Sequence, residues 1–233
     1  MSSSCKRTVE PEPAIENGTL SLHIHTLSDT TEFLPGDTVA DANGRKYVYS
    51  TAEYYLSGIT LIKMDGTPVS VSNVNLLIHP EEEDYLVGSV PAGNYKTIAF
   101  NIGISAAQNH LDPSSFAANN PLSPQTPSMH FATNPEGYIF MNVSGVLDST
   151  SAMNGVPDYS FNYQVGIDSL VKHKQMPDLP FTILPNQTEF IHMYADFSKL
   201  FQGVNVKTEN SGSKGDVVSQ KIAHNIHNIF IYE

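Results

Sequence analysis

Residues 18–30 read GTLSLHIHTLSDT, an alternating stretch with His23 and His25 one residue apart. A period of two is that of a β-strand, whose successive side chains point to opposite faces. Both imidazoles therefore look the same way, roughly 6.5–7 Å apart along the backbone. Two neutral imidazoles on one face can bind a soft or borderline cation such as copper or zinc. A closed site needs three or four convergent ligands, so partners from elsewhere in the chain are required. Without them the pair is a half-solvated strand face.

Working outward, the same kind of segment recurs along the chain. RKYVYSTAEYYLSGITLIKM (45–64), VSNVNLLIH (71–79), YKTIAFNIGI (95–104), GYIFMNVSGVL (137–147), SFNYQVGI (160–167), PFTILP (180–185) and TEFIHMYADF (188–197) alternate or run apolar. Gly, Pro, Asn and Asp punctuate them, which is the pattern of short antiparallel strands. The fold class expected is all-β: a single antiparallel β-sandwich of Ig-like or Greek-key type, with long loops and one or two short helices. Asp65-Gly66 marks a hairpin turn. The Pro-, Asn- and Ser-rich residues 110–129 form a long loop, and residues 210–216 (NSGSKGD) a second, flexible one. A short helix is expected at ADFSKLFQG (195–203), capped by Asp196 or Ser198 and ended by Gly203. The last segment, from Ser219, begins as a helical turn and finishes as a strand. There is no internal repeat.

The 233-residue chain is 40% hydrophobic and 15% charged, a composition that packs a core. Its 24 acidic and 12 basic residues give a net charge of −12, which repels phosphate backbones and excludes nucleic acid as a partner. The single cysteine, Cys5, allows no internal disulfide and no Cys-rich zinc site. It follows small residues in MSSSC and precedes the Pro/Glu-rich KRTVEPEP, which looks like the lipobox end of a bacterial lipoprotein. On that reading residues 1–17 are a flexible tether acylated at Cys5, residues 18–233 are the sandwich domain, and the lipid is the membrane attachment. The chain has no G-x-S-x-G elbow, phosphate loop, dinucleotide fingerprint or H-E-x-x-H helix, so no enzyme is expected. The tripeptides at Asp29, Asp37, Asp148 and Asp168 look like the short O-glycosylation motif of exported Bacteroidota proteins.

Four stretches in order, GTLSLHIHT (18–26), YYLSGITLIKMDGTPV (54–69), VPAGNYKTIAFNIGISAAQN (90–109) and SMHFATNPEGYIFMNVSG (128–145), carry a resemblance to the MbnP-like family. FNYQVG (161–166) and IAHNIHNIFIYE (222–233) look like its later blocks, and the lipoprotein branch in Bacteroidota agrees with Cys5. The resemblance implies a β-sandwich that binds copper, in better-known relatives through histidines and a tryptophan oxidised to kynurenine. This chain has no tryptophan, and Gln164 stands where many members carry a histidine. A rebuilt site would draw on His23 and His25, with His192 or His130 closing it. Met129 beside His130 is a thioether suited to Cu(I). His192 shares a strand face with Phe190 and Tyr194. His224 and His227 are read as surface residues. His79 and the acidic run 81–84 do not match a calcium loop and are read as a solvated connection.

The function expected is therefore that of an exported periplasmic or outer-membrane lipoprotein binding copper, with zinc less suited, for uptake, storage or delivery. The alternative is a non-enzymatic cell-envelope module with a degenerate site that contacts another envelope protein.

Overall fold

The computed structural model describes residues 16–125, 129–132 and 137–233. Cys5 and the tether before residue 16 lie outside the described residues. In chain order the strands begin with β1 (Asn17–Ser28), β2 (Thr31–Glu32), β3 (Thr38–Ala40), β4 (Lys46–Lys63), β5 (Pro68–Ser70), β6 (Asn75–Ile78), β7 (Asp84–Pro91) and β8 (Gly93–Ile102). They continue with β9 (Met141–Leu147), β10 (Tyr159–Val165), β11 (Lys172–Gln175), β12 (Phe181–Ile183), β13 (Thr188–Asp196), β14 (Ser211–Lys214) and β15 (Phe230–Tyr232). Two short α-helices, α1 (Ala106–Asn109) and α2 (Val217–Asn225), interrupt them.

The protein is mostly β, in keeping with its alternating segments, and its strands form two sheets. One has the order β15-β13-β1-β2, with β7 also paired to β1. The other has the order β11-β8-β4-β9-β10-β14, with β12 on β8 and β3, β5 and β6 on β4. The expectation of a purely antiparallel sandwich is corrected. β1 lies parallel to β13 and β10 lies parallel to β14, so both sheets are mixed. Alternation within a segment reports which face is buried but not which way the neighbouring strand runs. Parallel neighbours need a long connection between them, and here most of the chain separates β1 from β13.

The two sheets meet over one core. From the first sheet come Leu20, Leu22 and Ile24 of β1 and Ile191, Met193 and Ala195 of β13, all buried. From the second come Tyr49, Tyr54 and Leu56 of β4 and Phe100 of β8. Phe230 of β15 bridges them, its ring 5.7 Å from Tyr54 and 5.1 Å from Phe100, both edge-on. Edge-to-face pairs of this kind add about 0.5–1.5 kcal/mol each beyond area burial. Since inward residues alternate, Ser21, His23 and His25 on β1 and Phe190, His192 and Tyr194 on β13 are left on the opposite face of the first sheet.

Local signals in the sequence are met at several points. Gly66 takes φ +88° in the turn between β4 and β5, where the Thr67 N–H donates to the Asp65 carboxylate at 2.9 Å. A 3-10 helix, Phe197–Phe201, is capped by Asp196, which accepts from the Ser198 N–H at 3.0 Å. Asp216 caps α2 by accepting from the Ser219 N–H at 2.7 Å, and β15 follows. One expectation fails: residues 211–214, read as flexible loop, form β14 along β10. Its Ser-Gly-Ser-Lys sequence has no apolar alternation, and only the exposed edge of β10 makes it a strand.

The long segment after β8 shields a smaller apolar cluster of Tyr55, Ile104, Leu122, Met129, Phe131, Tyr138, Ile139 and Phe140. Among the described residues no helix is long and apolar enough to cross a membrane.

Phe230→Ala removes the ring that joins the sheets and leaves a cavity against Tyr54 and Phe100. Equilibrium unfolding in urea is expected to show a loss of about 3–5 kcal/mol.

Candidate metal centre

Three strands bring the site together. The parallel register of β1 and β13 sets His23 opposite His192 and His25 opposite Tyr194. On the other side of β1 the antiparallel β7 sets Asp84 opposite His23. The ladder continues one step further, where the Ile24 N–H donates to the Glu83 carbonyl at 2.8 Å. At the far end of β1 the two-residue β2 places Glu32 opposite Leu27. β15 runs into Glu233, whose N–H donates to the His192 carbonyl at 3.2 Å. The histidine, tyrosine and acidic side chains among these stand on the face of the sheet that the core does not use.

His23 Nδ1 lies 2.6 Å from Asp84 Oδ1. An ionised carboxylate can only accept, so Nδ1 carries the proton and, in the neutral ring, Nε2 keeps its lone pair. That Nε2 is 3.0 Å from His25 Nε2 and 3.7 Å from Glu83 Oε2. His25 Nδ1 is 3.1 Å from Glu32 Oε1 and 3.6 Å from Glu83 Oε1. It is buried and out of line for a hydrogen bond to either, so the contact is electrostatic rather than a directed bond. One ligand atom from each of His23, His25 and Glu83 lies within 4.8 Å of the other two.

His192 stands beside this group, its ring 4.8 Å from that of His23. Its Nδ1 is 3.1 Å from Glu233 Oε2, so it too has a carboxylate on one nitrogen and the other available. It is the more open of the three: its side chain is 52% exposed, against 20% for His23 and 17% for His25. Tyr194 completes the face with its ring 5.6 Å from His25. Desolvation, then the charge and hydrogen bond of Glu233 and the charge of Glu32, raise its phenol above the usual range.

Two Nε2 atoms at 3.0 Å can be arranged in few ways. Two lone pairs repel, two protons clash, and a single proton or a single cation between them resolves both. Glu32, Glu83 and Asp84 lie against the pair, Glu233 lies against the neighbouring His192, and their negative charge favours the cation. The carboxylate behind His23 is the arrangement that orients an imidazole ligand and raises its basicity. The donor set therefore fits a borderline transition-metal ion.

Of the residues expected in the site, His23, His25 and His192 share this face. His130 and Met129 stand apart from it. The His130 Nδ1–H donates to the Phe131 carbonyl at 2.7 Å, and the ring packs edge-on against Tyr138 at 4.9 Å. Met129 is buried with Tyr55 and Phe140 in the smaller cluster. Gln164 lies on β10 of the second sheet, opposite Asn142 and Ser213. The His224 and His227 rings lie 5.8 Å apart at the end of α2.

The acidic run 81–84, a solvent-exposed connection as expected, also supplies Glu83 and Asp84 to the histidines. Its useful signal was four consecutive acids leading into a strand, but which strand that one would pair with is not written locally. Glu32 and Glu233 carried no signal of their own.

The family model described as MbnP matches residues 17–219. Among solved structures, MbnP from Methylosinus trichosporium superposes with a TM-score of 0.55 at 14% identity, covering 87% of this chain and 83% of that one. No curated protein matches the sequence.

Asp84→Ala is expected to release the His23 Nδ1 proton from its fixed position. Nitrogen-15 NMR of the imidazoles should show a mixture of tautomers at His23 in place of one Nδ1–H form. Stability should change by no more than about 1 kcal/mol, since the pair lies at the surface.

Proposed function

The chain belongs to the MbnP family, and from that premise we propose that it is an exported, lipid-anchored, non-enzymatic protein that binds a transition-metal ion, copper before zinc, as cargo for uptake, storage or delivery. The observation that carries the reading is the pair of Nε2 atoms of His23 and His25, 3.0 Å apart, with Asp84 behind one ring and Glu83 beside both. Likeness to the Methylosinus protein carries the fold alone, so the case for metal rests on these residues.

Each has a role in holding the ion. His23 and His25 supply imidazole nitrogen, Glu83 supplies a carboxylate oxygen, Asp84 fixes the His23 tautomer and Glu233 orients His192. The surrounding acids attract a cation from solution, in keeping with the net charge of −12. Export and anchoring rest on Cys5 and the Pro/Glu-rich stretch that follows it. The site departs from the family's better-known ligand set in having no tryptophan to form kynurenine and Gln164 at a histidine position.

Those two departures favour a second reading, an envelope binding module whose metal site has decayed. That reading requires His23 and His25 to be isolated from further ligands. The register that sets His192 beside His23, and the approach of Glu83, speak against it.

Purified protein equilibrated with copper and freed of loose ions is expected to retain about one ion per chain by mass spectrometry, given one three-donor group. The double variant His23→Ala, His25→Ala should retain less than about a tenth of that, with unchanged circular dichroism. Asp84→Ala should bind about 10–100-fold more weakly, as expected when a carboxylate behind a ligand is lost. Retention unaffected by the double variant would remove both histidines from the account, and no retention by the unaltered protein would favour the decayed-site reading.

A further inference from the structure

We propose that Lys172, Lys174 and His227 form a binding site for a phosphate group, with Lys199 and His224 at its margin. The site lies at an edge of the second sheet and is independent of the metal reading.

Three elements bring these cations together. β11 is an edge strand paired to β8 alone, with Lys172 opposite Ile102 and Lys174 opposite Phe100. Ile102 and Phe100 belong to the core, and residues opposite one another in an antiparallel ladder share a face. Both lysines therefore stand on the inner side of β11, half-buried, while His173 and Gln175 on its other side are exposed. A 3-10 turn, Ile226–Asn228, packs against β11 and against the 3-10 helix Phe197–Phe201. The turn supplies half-buried His227, and the helix supplies Lys199. His224, at the end of α2, has its ring 5.8 Å from that of His227.

The charges that meet here are of one sign. Burial, then the charge of Lys199, lowers the Lys174 ammonium below its ordinary range. Burial, then Lys174, His224 and Lys172, lowers the His227 imidazole, against an opposing hydrogen bond to the His224 backbone. Among the described residues only Lys199 of the five meets a carboxylate, that of Asp196 at 3.3 Å. Asp196 is already engaged by the Asp29 N–H and by the N–H and hydroxyl of Ser198. In a chain with 24 acids and 12 bases, a half-buried group of like positive charges is costly unless an anion joins it. The net charge of the whole molecule does not oppose this, because charges beyond about 8 Å are largely screened at physiological salt. Inward lysines also deter an edge strand from pairing with another chain, but that purpose does not call for His227 and Lys199 from other elements.

Phosphate fits this donor set. A phosphate monoester carries about −1.5 to −2 charge and three acceptor oxygens, so donors arriving from separate elements can each meet a different oxygen. Ammonium and imidazolium groups serve it as point donors of charge-assisted hydrogen bonds. A planar carboxylate is matched by the fork of an arginine. The one arginine among the described residues, Arg45, lies elsewhere, donating to the carbonyls of Asp148 and Thr150.

The test offers inorganic phosphate and pyrophosphate to the full chain, against chloride at matched ionic strength, followed by calorimetry and by NMR of the histidine rings. Sedimentation with phosphatidylcholine vesicles, with and without phosphatidic acid, tests the same group on a membrane. The expected result is saturable binding of free phosphate with the His227 titration midpoint raised by at least about half a pH unit, since a bound anion favours the charged ring. Lys172→Gln, Lys174→Gln should weaken binding at least about tenfold, with unchanged circular dichroism, as charge-assisted hydrogen bonds are lost. The His23→Ala, His25→Ala variant should bind phosphate like the unaltered protein, which separates this site from the metal centre. Binding only to vesicles with phosphatidic acid, lost in the lysine variant, would keep the site and make its source a membrane headgroup. A response to phosphate no greater than to chloride, with no vesicle binding, would overturn the inference. So would phosphate binding that leaves the His227 resonances unmoved or survives loss of both lysines.

Discussion

The parallel pairing of β1 with β13 is the constraint on which the rest depends. It sets Leu22 beside Ile191 and Ile24 beside Met193 on the inner face, where they form the first sheet's contribution to the core. The same register sets His23 beside His192 and His25 beside Tyr194 on the outer face. Because the side-chain period of a strand is two, these consequences cannot be separated. A slip of one residue would turn the histidines into the core and the leucines to solvent. The hydrophobic term that holds the register therefore also holds the polar cluster in place.

That coupling explains how a polar group of this density is tolerated on a sheet. Gathering three histidines and four acids on one face contributes little to stability, since such pairs are largely solvated and screened. Its cost is met by the core behind it, where Tyr54, Phe100 and Phe230 lock the two sheets together. β15, which carries Phe230 inward, also leads into Glu233, so the element that closes the core delivers the carboxylate that meets His192. Core and site are two faces of one strand assembly.

The same economy of position separates nitrogen from sulfur. Met193 adjoins His192 in sequence. In a strand they are on opposite faces, and the thioether is spent on packing. His130 and Met129 also look like a pair, but His130 lies on a bridge to Tyr138 and Met129 is buried in the smaller cluster, both outside the first sheet. What remains on the outer face is imidazole and carboxylate, a harder set than the sequence suggests.

The sequence by itself determined a good deal. Alternating apolar residues made the fold mostly β, Asp65-Gly66 made a hairpin, and Asp196 capped the 3-10 helix that follows it, since each depends on residues within a few positions. The shared face of His23 and His25 was legible for the same reason: it follows from the period of one strand. The tertiary structure alone decided that β1 and β13 run parallel, that residues 211–214 pair with β10, and that Glu83, Asp84, Glu32 and Glu233 converge on the histidines. Pairing between strands is set by the total fit of two sheets over a common core, a sum of many long-range contacts that no short stretch encodes. Local periodicity therefore showed which way each side chain faces, and only the assembled fold could show what it faces.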